Sequence, residues 1–89
     1  MNVVWRPQAR DELAVILAKI SQDSPKGAAR MRARILHSIS FLRDWPDIGR
    51  PGRRGFRELV VPRTPYVVIF KRDADLIRIF RVVHAARRR

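Results

Sequence analysis

Apolar residues follow two different rhythms along this 89-residue chain. In the second half they gather into three short runs, Gly55-Phe-Arg-Glu-Leu-Val-Val61, Tyr66-Val-Val-Ile-Phe-Lys71 and Leu76-Ile-Arg-Ile-Phe-Arg-Val-Val-His84. Turns made of Pro62-Arg-Thr-Pro65 and Arg72-Asp-Ala-Asp75 separate them, the pattern of hairpin-linked antiparallel strands. From Tyr66 to Phe70 no polar residue intervenes, so this run is expected inside the sheet with both faces covered. In the last run simple alternation puts Arg78, Phe80, Val82 and His84 on one side and Ile77, Ile79, Arg81 and Val83 on the other. Arg78 and Arg81 are thus expected on opposite faces.

In the first half the apolar residues recur at three and four positions. After a short extended segment, Asn2-Val-Val-Trp5, Pro7 is placed for the first turn of a helix, with Asp11 and Glu12 favouring its positive end. Ala9, Leu13, Ile16, Leu17 and Ile20 form one stripe, while Arg10, Glu12 and Lys19 fall outside it. The break at Ser21-Gln-Asp-Ser-Pro25 offers Ser24 as a cap and Pro25 as the first residue of a second helix. That helix is expected to run to about Arg43, with Ala28, Met31, Ile35, Ile39 and Leu42 as its stripe and Leu36 beside it. Two helices with one stripe each fit a hairpin laid on a single face of a sheet.

Residues 44–55 read as a long Pro- and Gly-rich loop in which Trp45 and Ile48 tuck against the core. Its Gly49-Arg50-Pro51 centre has the core of a minor-groove hook, but Ile48 stands where such hooks carry another arginine. A phosphate-cradling loop requires Gly-Lys-Ser/Thr leading into a helix, and this one leads into a strand. A helix-to-strand connection with a basic rim fits it best. The expected architecture is α+β, in the order β-α-α-β-β-β: a small, mostly antiparallel sheet with the helix hairpin on one face, forming a single domain over residues 1–89. The first strand is expected beside the last, antiparallel or parallel, protecting its edge.

Composition changes this picture in two ways. There are no cysteines, which excludes disulfides and thiolate metal sites. No apolar run approaches the roughly 20 residues that a membrane helix requires, and Met1-Asn-Val-Val-Trp5 lacks a signal peptide's order; a cytoplasmic protein is expected. More telling is the charge: 20 Lys+Arg against 8 Asp+Glu give +12. Such an excess points to a polyanionic partner, nucleic acid or an acidic protein segment. Arginine outnumbers lysine heavily, and its fork suits fixed contacts with phosphate or carboxylate, although biased base composition raises arginine too.

Candidate chemistry is sparse. Two histidines, His37 and His84, cannot make a zinc site by themselves, and there is no nucleophile elbow or paired acidic motif. No metal and no cofactor are expected. One enzymatic reading survives, a metal-independent ribonuclease in which Arg57, Arg81 and His84, with Glu58 on the adjacent strand, converge at the sheet's end to neutralise a phosphate and move a proton. The competing reading has His84 capping a strand and the arginines facing solvent or an acidic partner.

Taken together, Pro7, Ala9, Asp11 and Leu13 after the opening strand, the Ser24-Pro25 helix entry, Gly49-Arg-Pro-Gly52, Gly55-Phe-Arg-Glu-Leu59, Tyr66-Val-Val-Ile-Phe70 and Ile79-Phe-Arg-Val-Val-His-Ala-Ala-Arg-Arg88 resemble the RelE/ParE superfamily of type II toxins. The resemblance covers nearly the whole chain. It implies a toxin neutralised by a cognate antitoxin whose extended, often acidic segment wraps it. RelE-like members cut messenger RNA on the ribosome, and ParE-like members poison DNA gyrase. RelE-like sequences typically carry an arginine after the tyrosine of the middle strand, where this chain has Val67, and often a tyrosine after the last strand, which is missing here. The Arg-Val-Val-His-Ala-Ala-Arg-Arg ending is more similar to ParE-like toxins.

The ParE-like resemblance therefore implies gyrase as the target and no catalytic residues. Arg81, His84, Arg87 and Arg88 are then the expected target-binding residues, and Arg10, Arg30, Arg32 and Arg34 the expected antitoxin-binding ones. The RelE-like alternative makes Arg57, Arg81 and His84 catalytic, with the ribosome and mRNA as partners. ParE-like toxins often continue further past the last strand than Arg89, so a short tail is expected to weaken toxicity.

Overall fold

The computed structural model describes residues 1–87, with the Arg87 side chain left out. The expectations placed on the Arg87 side chain and on Arg88 lie outside the described part of the chain. Strand β1 (Asn2–Trp5) is followed by helices α1 (Pro7–Asp23) and α2 (Pro25–Ser40), and then by strands β2 (Arg50–Pro51), β3 (Arg57–Val60), β4 (Tyr66–Asp73) and β5 (Leu76–His84). The five strands form one mixed sheet in the order β1-β5-β4-β3-β2. β1 runs parallel to β5, and the other neighbours are antiparallel. The uninterrupted apolar run thus occupies the central strand, with Val67, Val68 and Phe70 buried.

The helix boundaries follow local chemistry. Ser24 Oγ accepts the Gly27 N–H at 2.9 Å, and Pro25 occupies the first helical position, where its missing donor costs nothing. α2 ends at Ser40, and a 3₁₀ turn, Phe41–Arg43, completes the segment expected to be helical. Ile35, Ile39 and Leu42 pack with Ala9 of α1 onto Leu59, Val68, Phe70, Ile77, Ile79 and Val82 of the sheet. Each large side chain removed from water here contributes about 1.5–3 kcal/mol.

Three expectations require correction. First, Trp45 and Ile48 do not enter the core; they are 58% and 39% exposed. Trp45 N–H donates to Phe41 O and Ile48 N–H to Trp45 O, closing local turns beyond the buried Leu42 that leave both side chains on the surface. Trp45 instead joins Phe41 and His37 in a surface stack, with centroid separations of 6.1 and 5.0 Å.

Second, the loop contains a strand, because Arg50–Pro51 pairs with β3. The approach depends on glycine. A Cβ at Gly49, whose φ is +96°, would lie 2.5 Å from Glu58 O, and one at Gly52 would lie 3.1 Å from Glu58 Oε2.

Third, β5 does not alternate simply. Ile69 pairs with Arg81 but Phe70 pairs with Ile79, so Phe80 is an extra residue in the ladder. This bulge reverses the parity of everything after it. Ile77 and Ile79 face the helices, and so does Val82, three positions later. Arg78, opposite Lys71, and Arg81, opposite Ile69, therefore share the face that the helices leave open.

Candidate functional site

The bulge also marks where β5 loses its outer neighbour. β1 accompanies β5 only to Ile79, where the Arg6 N–H donates to Ile79 O at 2.9 Å and Pro7 turns the chain into α1. Beyond that point the edge of β5 would present a bare Val82 N–H. Glu12 of α1 fills the gap. Its Oε1 accepts the Val82 N–H at 3.0 Å, and its Oε2 accepts Arg81 Nε at 2.7 Å, with Arg81 NH2 also 2.7 Å away. The hydrogen bond to Glu12 is the main reason the Arg81 guanidinium is held above its ordinary pKa; burial opposes it, and the Glu12 charge adds to it. Arg81 therefore stays cationic at any physiological pH.

Arg81 stands between two clefts. On the helix side, a groove of roughly 680 Å³ between α1 and the free edge of β5 is lined by Val15, Ile16, Ile20, Tyr66, Val83 and His84, with Glu12 and Arg81 between them. Val15 projects into water here at 68% exposure. On the open face, a cleft of roughly 650 Å³ is lined by Arg50, Arg53, Phe56, Glu58, Ile69, Phe80, Arg81 and Ala85.

Strand register arranges the floor of the open cleft. Arg81, Ile69, Glu58 and Arg50 are successive partners across β5, β4, β3 and β2. Glu58 is only 6% exposed, and its Oε1 accepts Arg50 Nε at 3.0 Å. The aromatic wall is a T-shaped pair, Phe56 and Phe80, 4.9 Å apart; Lys71 lies over the Phe56 ring at 5.0 Å and Arg6 over the Phe80 ring at 5.2 Å. Each cation faces the electron-rich side of its ring.

The residues singled out for ribonuclease chemistry do not converge. Arg57 pairs opposite Phe70, whereas His84 pairs opposite Tyr66, four residues away along β4 and so roughly 13 Å by strand rise. The Arg57 guanidinium donates to Asp47 O and Gly49 O at 2.7 and 3.1 Å, tying down the loop before β2. Arg81 and Glu58 do share one row, on the open face. The His84 ring stands edge-on to Tyr66, 5.7 Å away, and its Nδ1 accepts the Ala86 N–H at 3.2 Å, which starts the 3₁₀ turn Ala85–Arg87. His84 thus shapes the exit of the last strand.

The four helix arginines are exposed but do not form one face. Arg10 and Arg32 flank a shallow groove with Trp5, Leu13, Ala14, Leu17 and Leu36 on the outer side of the hairpin. Arg30 and Arg34, one helical turn apart, share another side, and Arg34 NH1 donates to Arg63 O at 3.4 Å.

Sequence reasoning missed the clasp made by Glu12, and a signal for it existed. Position 12 lies three after Ala9 and four before Ile16, so it belongs to the sheet-facing side of α1. An acid there calls for a buried donor, and the helix dipole was the wrong explanation for it.

Comparison with known proteins places this fold. Residues 3–89 match the family model described as ParE toxin of type II toxin-antitoxin system, parDE. The candidate toxin Y4kP of Sinorhizobium fredii is 39% identical over 85 residues, 94% of this chain and 88% of that protein. Toxin RelE2 of Caulobacter vibrioides is likewise 39% identical, over 97% of both chains. A chain of the chromosomal ParDE TA system from P. aeruginosa shares the fold, with a TM-score of 0.84 at 24% identity over 94% of this chain and 95% of that one. With its mixed five-stranded sheet, its helix hairpin and a match across nearly its whole length, the chain belongs to the ParE toxin family of type II toxin-antitoxin systems.

Proposed function

We propose that this toxin inhibits DNA gyrase through the end of the molecule where β5 emerges, and that its cognate antitoxin restrains it from the helix side. The observation that carries the proposal is position 67. A metal-free ribonuclease must set cations around the scissile phosphate, and RelE-like sequences put an arginine after the tyrosine of the middle strand. Here Val67 is 1% exposed and paired with Val60 and Val83, an apolar row beside the one that holds Arg81. Removing one such donor typically costs about a hundredfold or more in rate. With Arg57 tied to the loop carbonyls as well, two of the cations that cleavage requires are missing from the cleft.

What remains suits binding. Arg81 is fixed at the lip of the open cleft, His84 sets the direction of the exit, and the sequence adds Arg87 and Arg88 shortly after it. Fixed guanidinium groups recognise carboxylate or phosphate on a partner by paired hydrogen bonds, so gyrase or its bound DNA is engaged without a reaction on this chain. The antitoxin is assigned two seats: the apolar α1/β5 groove for an amphipathic segment, and the surface carrying Arg10, Arg30, Arg32 and Arg34 for its acidic stretches.

The name RelE2 on one relative favours a second reading, ribosome-dependent cleavage of mRNA with Arg81 and His84 as the working groups. A gyrase supercoiling and DNA-cleavage assay, run beside a translation reaction probed for cut message, separates the two. Gyrase-linked breaks with intact message are expected. Cut message with untouched gyrase would make the second reading correct.

A further inference from the structure

Arg81 touches both clefts, and something must decide which one its free N–H edge serves. A guanidinium on a three-carbon stem swings readily, and 43% of this side chain is open to solvent. Left alone, it would sample the helix-side groove and the open cleft alike. Its backbone is held by β4 on one side only. Arg81 and Val82 lie just past a bulge, at the first positions where β5 has no strand on its outer side.

Glu12 answers both problems with one carboxylate. One oxygen holds the backbone through Val82 N–H, and the other holds the guanidinium through Nε and NH2. The contact joins residues 69 and 70 positions apart, and the Glu12 side chain is only 21% exposed, so water competes weakly for it. Because Nε and one hydrogen of NH2 face Glu12, the edge that remains is the outer one, NH1 with the second NH2 hydrogen. The neighbouring members of the row, Ile69 and Glu58, lie in the open cleft.

We infer that Glu12 is a positioning residue for target binding: by clamping Arg81 and the Val82 backbone together, it sets the direction in which Arg81 meets an anionic group of the target. The inference rests on the proposed target-binding role of Arg81, and it needs no contact between Glu12 and the target. It also separates two ways of damaging the clamp. Glu12→Gln keeps an oxygen for Val82 N–H but gives up the charge-assisted pairing with Arg81. Glu12→Asp keeps the charge but is one methylene too short to reach both donors from α1.

Two measurements on the purified full chain test this. The first is target-independent: ¹⁵N NMR of the Arg81 Nε–H group and hydrogen exchange of the Val82 amide. In the parent both protons are expected to be slowed. In Glu12→Gln the Arg81 signal should move toward that of a free arginine while Val82 stays partly protected. The second is a double-mutant cycle on gyrase supercoiling with Glu12→Gln, Arg81→Ala and the pair. Glu12→Gln should weaken inhibition about tenfold alone and not at all on an Arg81→Ala background, because a residue acting through another has nothing left to position.

Equal losses on both backgrounds, or a fast-exchanging Arg81 Nε–H in the parent protein, would overturn the inference. If the parent protein leaves gyrase untouched and cuts message, the proposed function fails; the same cycle read on cut message then decides the role of Glu12. Melting curves of each variant identify losses that come from unfolding alone.

Discussion

The two faces of the sheet make opposite use of the same strands. On the helix side, Phe70, Val68, Ile77, Ile79 and Val82 meet Ile35, Ile39 and Leu42, and every one of these side chains is essentially dry. On the open side, one row runs Arg81, Ile69, Glu58, Arg50, and the aromatic pair Phe56 and Phe80 is bracketed by Lys71 and Arg6. The difference shows where stability resides, and it is the open side that the proposed function uses. The covered face supplies the apolar burial that a domain of this size requires, which leaves the open face free to carry a buried acid and a ring of cations.

The sharpest way to break the contrast is to damage the covered face. Phe70→Ala removes the largest fully buried side chain and should cost about 3–5 kcal/mol. Urea denaturation should show the midpoint collapsing, with little folded protein left at 37 °C. A loss below 1 kcal/mol would mean that the core lies elsewhere. Next comes Gly49→Ala, which drives a methyl group into the Glu58 carbonyl at a positive φ. A cost of about 1–3 kcal/mol is expected, and hydrogen exchange should accelerate at β2 and not at β4.

Within the open face the effects should be smaller. Glu58→Gln gives up the charged pairing with Arg50, whose side chain is largely in water, so about 1 kcal/mol is expected in the same titration. Arg50 should gain mobility in side-chain NMR. Smallest of all is Trp45→Ser. Outside both faces, this ring stacks only on its surface neighbours, and stability should change by about 0.5 kcal/mol or less. A larger loss would show that the loop is part of the core after all.

The covered face was legible in the sequence. Uninterrupted apolar runs, helical stripes and proline-marked helix starts have local causes, so both long strands and both helices formed on the runs that the pattern marked, with β4 extending two residues into the expected turn and α2 ending at Ser40. The open face was not, because it depends on register. A single extra residue at Phe80 turns Arg81 onto the face of Arg78, and nothing in β5 alone announces it. The β2 hook was hidden for a related reason: Gly49 and Gly52 look like loop residues until Glu58 is set against them. Trp45 and Ile48 show that apolar type alone does not mean burial: both are exposed, while Leu42 just before them is fully buried. Of the residues expected to bind the target, Arg81 and His84 both lie near the end of β5, whereas Arg57, a catalytic candidate only under the ribonuclease reading, is spent on fixing a loop. The role of Glu12 required the knowledge that β1 stops at Trp5 and leaves Val82 bare.

The division of labour between the faces is tested most directly by two variants in two assays. Purified Arg81→Ala and Arg32→Ala proteins would each be titrated into gyrase supercoiling and against the cognate antitoxin. Arg81→Ala should lose about tenfold or more in gyrase inhibition and a clearly smaller factor in antitoxin affinity, because Arg81 lines only one of the two antitoxin seats. Arg32→Ala should show the reverse pattern. Equal gyrase inhibition by Arg81→Ala and the parent protein would contradict the account, because the target would then be engaged somewhere other than the end of β5.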